Sequence, residues 1–230
     1  MSELDKSAAP ALLPADSVVI SIDLESLGKP PTAPVLKIGI SASTFTPDKP
    51  YRDFGARIGL TLPAAMKLGP INPDTLLWWM GQPARTQFDA FECEAGRFGD
   101  IESAAAGLAS IMQEIREKYA PLPCWLLIKR PQYDLPLLEN FLRAGGQDPA
   151  EVLGSFRAVI DFATEQLRFQ WLAQQFLPPE QAEAFMHVER QPYAVPHTAL
   201  GDAYYQGFCL RTWEQRLKAL AATIKISEGQ

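Results

Sequence analysis

Asp23 and Glu25 stand two residues apart at the end of Val18-Val19-Ile20-Ser21-Ile22-Asp23-Leu24-Glu25, a run that is otherwise β-branched and apolar. On a strand, side chains at i and i+2 share a face, so the two carboxylates could share one cation. Hard divalent ions prefer such donors, Mg²⁺ taking one or two carboxylates and filling its shell with water or phosphate oxygens. The pair alone has little specificity: 27 acids in 230 residues give about 0.8 Asp-x-Glu pairs by chance. The competing reading is a solvated strand end. An acidic pair so close to an apolar strand is nevertheless costly unless it is paired or metal-bound.

His197 and Asp202 form His-x-x-x-x-Asp, with Thr198 placed to cap a helix that carries Asp202 in its first turns. With only two histidines in the chain, chance supplies about 0.1 such pairs. Imidazole is the side chain suited to moving protons near neutral pH. His187 has no comparable setting and reads as a surface residue. Asp134, in Gln132-Tyr133-Asp134-Leu135-Pro136, reads either as a helix cap or as a third isolated acid.

These residues need elements to hold them. Apolar runs mark strands at 17–24, 35–45, 54–62, 124–128 and 156–162. The first three, joined by short links, suggest an antiparallel meander. Asn72-Pro73-Asp74 starts a helix to Met80, and Pro83 restarts one through Phe91. Helical spacing recurs over 101–119, and further helices read over 135–144, 164–176, 180–185 and 198–220. Residues 1–16 are Ala/Pro/Ser-rich and read as a flexible segment, 17–223 as a single domain, and 224–230 as a flexible tail. The order βββ-α-β-α-β-α gives an α/β domain with a mixed sheet.

Composition narrows the class. Apolar residues make up 47% and charged residues 21%, which is globular usage and excludes wholesale disorder. No apolar run approaches the roughly 18 residues that cross a bilayer, so no membrane role is expected. The first residues do not read as a signal peptide. Cys93, Cys124 and Cys209 are odd in number and in no C-x-x-C pattern, which reads as reduced thiols in a cytoplasmic protein without structural zinc. The net charge of −6 weighs mildly against a general nucleic-acid coat protein.

Taken in order, Asp-x-Glu on the first strand, Tyr-Asp mid-chain and His-x-x-x-x-Asp near the end resemble the histidine subclass of the DEDD-type (DnaQ-like) 3′–5′ exonucleases. These ribonuclease H-like enzymes include oligoribonuclease, ribonuclease T and the proofreading exonucleases. Locally, Ile22-Asp23-Leu24-Glu25-Ser26-Leu27-Gly28, Pro31-Thr32-Ala33-Pro34-Val35-Leu36-Lys37-Ile38-Gly39, Ile71-Asn72-Pro73-Asp74-Thr75-Leu76-Leu77-Trp78-Trp79 and His197-Thr198-Ala199-Leu200-Gly201-Asp202-Ala203 are similar to the exoribonuclease branch typified by mycobacterial RNase AS and phage exonucleases. The likeness spans about residues 17 to 210. It departs at Trp125–Gln132, where the family usually carries Gly or Asn, and at Gly201, where many relatives have an acid.

The resemblance implies a ribonuclease H-like fold with a mixed five-stranded sheet flanked by helices. It implies that Asp23, Glu25, Asp134 and Asp202 hold two Mg²⁺ or Mn²⁺ ions, with His197 as general base. The expected partner is a single-stranded nucleic acid with a free 3′ end, and relatives suggest a homodimer. Trp78 and Trp79, about 100° apart on a helix, cannot both face the core, so one could stack on a base. Lys29, Lys129 and Arg130, on loops beside the acids, are candidates for phosphate contacts. A catalytically inactive module that binds nucleic acid or protein is the alternative, although such a module would be expected to have lost at least one acid. Two divalent ions would bring −6 to −2, so the acidic balance stops counting against a phosphodiester substrate.

Overall fold

The computed structural model describes residues 17–44, 54–91, 99–154 and 158–228. The segment 1–16, Phe45, Cys93 and Phe156 lie outside the described residues.

Strand β1 (Val18–Ser26) is central in a five-stranded sheet, with β2 (Val35–Thr44), β3 (Phe54–Gly59), β4 (Cys124–Ile128) and β5 (Val159–Asp161) in the order β3-β2-β1-β4-β5. β1 to β3 form the expected antiparallel meander, while β4 and β5 add in parallel. Such parallel additions need crossovers, and the chain supplies helices for them. Between β3 and β4 lie α1 (Leu62–Ala65), a short 3₁₀ turn, α2 (Pro73–Met80), α3 (Ala84–Phe91) and α4 (Ile101–Tyr119); between β4 and β5 lie α5 (Pro131–Ala144) and α6 (Pro149–Leu153); and α7 (Phe162–Phe176), α8 (Pro179–Met186) and α9 (Ala199–Glu228) follow β5.

Alternation along β1 builds two cores. Val18, Ile20 and Ile22 join the larger core, with Leu108 and Met112 of α4 and Leu138 and Phe141 of α5. Val19 joins the second, with Phe169 of α7, Phe185 of α8 and Leu210 and Trp213 of α9. On that second face β1 runs Val19, Ser21, Asp23, Glu25, so the apolar layer gives way to acid towards the strand's end. Gly39, paired with Asp23, lets α9 in: a Cβ there would lie 2.0 Å from the carbonyl carbon of Ala199. The absence of a side chain on β2 therefore sets how closely the start of α9 approaches the acids.

Four boundaries differ from the sequence expectation. β3 stops at Gly59, because Thr61 caps α1 and its Oγ1 accepts from Ala64 N. α5 begins at Pro131 rather than Leu135: Pro131 is the proline at the helix start, and Pro136 is carried inside the helix. β5 is short because Asp161 caps α7 and accepts from Ala163 N at 3.0 Å, which draws Phe162 into the helix. α9 passes the end of its apolar pattern and continues through residues 221–228, into the stretch whose sequence reads as a tail. Ala221-Ala222 favours this continuation. No helix among the described residues is long and apolar enough to cross a membrane.

Candidate active site

Asp23 and Glu25 leave β1 on the α9 face and are 9% and 8% exposed. Asp202, in the first turn of α9, completes a group whose carboxylate oxygens all lie within 4.8 Å of one another. Burial first, then the charges of Asp202 and Asp134, push the Asp23 carboxyl well above its ordinary range. Glu25 is raised in the same direction by burial and then by Asp23 and Asp202. Gln206 Nε2 donates to Asp23 at 2.6 Å, while the buried Glu25 Oε1 has no hydrogen-bond partner among the described residues.

Asp134 sits one turn inside α5, its N–H donating to Arg130 O at 3.0 Å. It is not the helix cap, since the cap position is Arg130. Burial raises its carboxyl to about 6, against the lowering pull of the nearby cations Lys129 and Arg130. Tyr133 donates to Gly28 O, tying α5 to the loop after β1. Lys129 and Arg130 are exposed beside Asp134, and Lys29 is exposed on the β1–β2 loop.

Thr198 caps α9 as the sequence predicts: its Oγ1 accepts from Gly201 N at 3.2 Å. Just before it, His197 is exposed and held at φ 56°, a left-handed conformation that histidine adopts more readily than most residues. Its ring meets Trp78 edge-on at 5.7 Å. Trp78 is 48% exposed, whereas Trp79 is 2% exposed and donates Nε1–H to Ser26 O at 3.0 Å. Trp79 is therefore the core member of the pair, and only Trp78 is open to a base.

A residue absent from the sequence reading organises this end of the site. Arg190 Nη1 donates to Asp202 Oδ1 at 2.7 Å and to Ala194 O at 3.0 Å. The guanidinium also lies 4.0 Å from the Tyr205 ring centroid. One nitrogen thus joins the segment carrying His197 to the carboxylate on α9.

The donor set fits a hard divalent cation. All donors are carboxylate oxygens, two of the acids are buried with like charges beside them, and one oxygen lacks a donor. Without a cation, each raised carboxyl binds its proton more tightly folded than unfolded. The associated stability is present below the ordinary carboxylate range, near 3.8 for Asp134, and is lost as pH rises through about 6. The melting temperature in chelator is therefore expected to fall by several degrees from pH 5 to pH 7.5, followed by calorimetry; a rise over that interval would contradict the burial described.

A family model, the Rv2179c-like 3′–5′ exoribonuclease domain, matches residues 18–213. The chain belongs to this family. No curated protein matches the sequence. The Rv2179c-like domain is similar in fold to E. coli exonuclease I in complex with a dT13 oligonucleotide, with TM-score 0.57 at 13% identity over 89% of this chain and 42% of that one. The zinc-bound form of an E. coli exonuclease I–single-stranded DNA complex gives TM-score 0.57 at 14% identity, over 91% of this chain and 43% of that one. The Rv2179c-like domain thus spans less than half the length of these structures and shares their ribonuclease H-like fold.

Of the five sequence-predicted residues, Asp23, Glu25 and Asp202 come together in this Rv2179c-like domain; Asp134 reaches Asp23 and Glu25 by charge, and neither it nor His197 is in the close group. Gln206 could have been anticipated, because it lies one turn after Asp202 on the same helix face. Arg190 gave no such signal. Carboxylates that hold a metal are oriented by outer hydrogen bonds. Arg190→Gln is accordingly expected to weaken Mn²⁺ binding about 10-fold or more, read by electron paramagnetic resonance of free Mn²⁺. Wild-type affinity in that variant would remove Arg190 from this role.

Proposed function

We propose that the chain is a metal-dependent 3′–5′ exonuclease that hydrolyses the terminal phosphodiester of single-stranded nucleic acid and releases 5′ mononucleotides. The observation that carries this reading is the convergence of Asp23, Glu25 and Asp202, with Asp134 acting on the first two by charge and the exposed imidazole of His197 just before the helix that carries Asp202. Membership of an exoribonuclease family favours RNA over DNA. The single-stranded DNA held by exonuclease I supports single strands as the substrate class.

Asp23, Glu25, Asp134 and Asp202 would hold two Mg²⁺ or Mn²⁺ ions. When bound, the ions supply positive charge that draws in the phosphate and stabilises negative charge in the transition state. Gln206 keeps the Asp23 carboxylate aimed and Arg190 does the same for Asp202. His197 takes the proton from the attacking water as its oxygen bonds to phosphorus and the bond to the leaving 3′ oxygen breaks. The exposed face of Trp78 stacks on the terminal base, while Lys129 and Arg130, with Lys29 further out, contact phosphates. The domain acts as one unit over residues 17–223, in the cytoplasm and as a homodimer.

Matched RNA and DNA oligomers with free or blocked 3′ ends test the reading. Mononucleotide release from free ends, faster on RNA and stopped by a 3′ block, is the expected result. Release that ignores the block would exclude a 3′ exonuclease.

A further inference from the structure

A cavity of about 330 Å³ lies on the β2–β3 side of the acids, lined by Lys37, Arg57, Arg85, Phe88, Asp89 and Tyr193 and closed by the first turn of α9. Its size falls within the roughly 300–1,000 Å³ of small-ligand pockets. It adjoins the acids on two sides. Lys37 is the strand partner of Glu25, and residues 198–201 in its wall lead directly into Asp202. Three cationic side chains meet one carboxylate, Asp89, which is itself held by Arg57 at 3.4 Å. Two rings stand at the opening, with Phe88 63% and Tyr193 39% exposed. The Tyr193 ring is braced edge-on against Tyr204 at 5.6 Å.

Cations that follow a backbone, combined with aromatic faces that accept any base, are the recurring solution for holding a single strand. A strand entering 3′ end first must also bring its next phosphates past a cluster of carboxylates, which calls for positive charge close to that cluster. We propose that this cavity is a strand-binding subsite for the phosphates and bases immediately 5′ of the scissile linkage. The proposal rests on the exonuclease reading above. Arg85, exposed on α3, meets the phosphates with Arg57 beside it, Lys37 is buried and adds positive charge to the wall, and Phe88 provides a stacking surface.

The test is binding of phosphorothioate-linked dinucleotide and octanucleotide, labelled at the 5′ end, to the full chain in Mg²⁺, followed by fluorescence anisotropy across a salt series. Wild type binds the octanucleotide more tightly than the dinucleotide. Arg85→Gln and Phe88→Ala each reduce that advantage about fivefold or more. Arg85→Gln also lowers the slope of log Kd against log salt by about 0.7, the contribution of one phosphate contact on a single strand. Arg143→Gln, which neutralises an exposed cation on α5 paired with Glu139, retains wild-type binding. If both cavity variants keep their fold by circular dichroism and still bind like wild type, the subsite is overturned. It is equally overturned if Arg143→Gln loses as much as Arg85→Gln. A wild-type protein that binds neither oligomer instead overturns the exonuclease reading.

Discussion

Asp23→Asn is expected to lower release of a 3′-terminal nucleotide by about 10³-fold, the upper range for losing a preorganised charge-stabilising group, while making the metal-free protein more stable. Asp23 is buried, and burial first, then the charges of Asp202 and Asp134, oppose its ionisation. Asparagine fills the same space and keeps an oxygen for Gln206 Nε2, which now donates at 2.6 Å. What the variant loses is a negative charge, and with it the means to hold a cation. Functional sites commonly retain such costs to stability. In chelator at pH 7.5 the melting temperature should rise by about 2–4 °C for each kcal/mol recovered, and the stabilisation that Mn²⁺ gives the wild type should shrink. An Asp23→Asn protein with wild-type activity would remove Asp23 from the site.

His197→Asn is the second large effect, with turnover reduced about 10²-fold or more and Mn²⁺ affinity preserved. Asparagine is the informative replacement because it tolerates the left-handed conformation at φ 56°, so the backbone leading into α9 stays in place. Alanine there would mix loss of the base with backbone strain. His197 lies outside the group of close carboxylates, so losing its ring leaves the cation donors intact. Single-turnover rates at saturating Mn²⁺ check the first half and a Mn²⁺ titration the second. Wild-type turnover would exclude His197 as the base.

Much of the site is legible in the residues, for reasons that differ along the chain. Asp23 and Glu25 are visible because a period-2 strand fixes their shared face, and the apolar residues before them fix the strand. Thr198 announces the start of α9, and that start places Asp202. Asp134 stands out as an isolated acid, but its helix begins four residues early, because two prolines compete for the start and Pro131 prevails. Trp78 and Trp79 show where local pattern ends: 100° of helix separates them, and only the packing of α2 against β1 decides that Trp79 is buried and donates to Ser26 O. Arg190 and the cavity lining come from segments far apart in sequence, Lys37 on β2, Arg57 on β3 and Arg85 on α3. No periodicity within one element could have gathered them. Gly39 reads as an ordinary strand glycine until α9 packs onto it.

The most direct measurement follows a 3′-end-labelled single-stranded RNA incubated with the protein in Mg²⁺ or Mn²⁺ and, in parallel, in chelator. The carboxylate cluster predicts labelled 5′ mononucleotide released with either metal, an intact strand in chelator, and an intact strand with Asp202→Asn under all conditions. Release that persists in chelator, or no metal-dependent release from any RNA or DNA strand, would contradict the account and favour an inactive binding module.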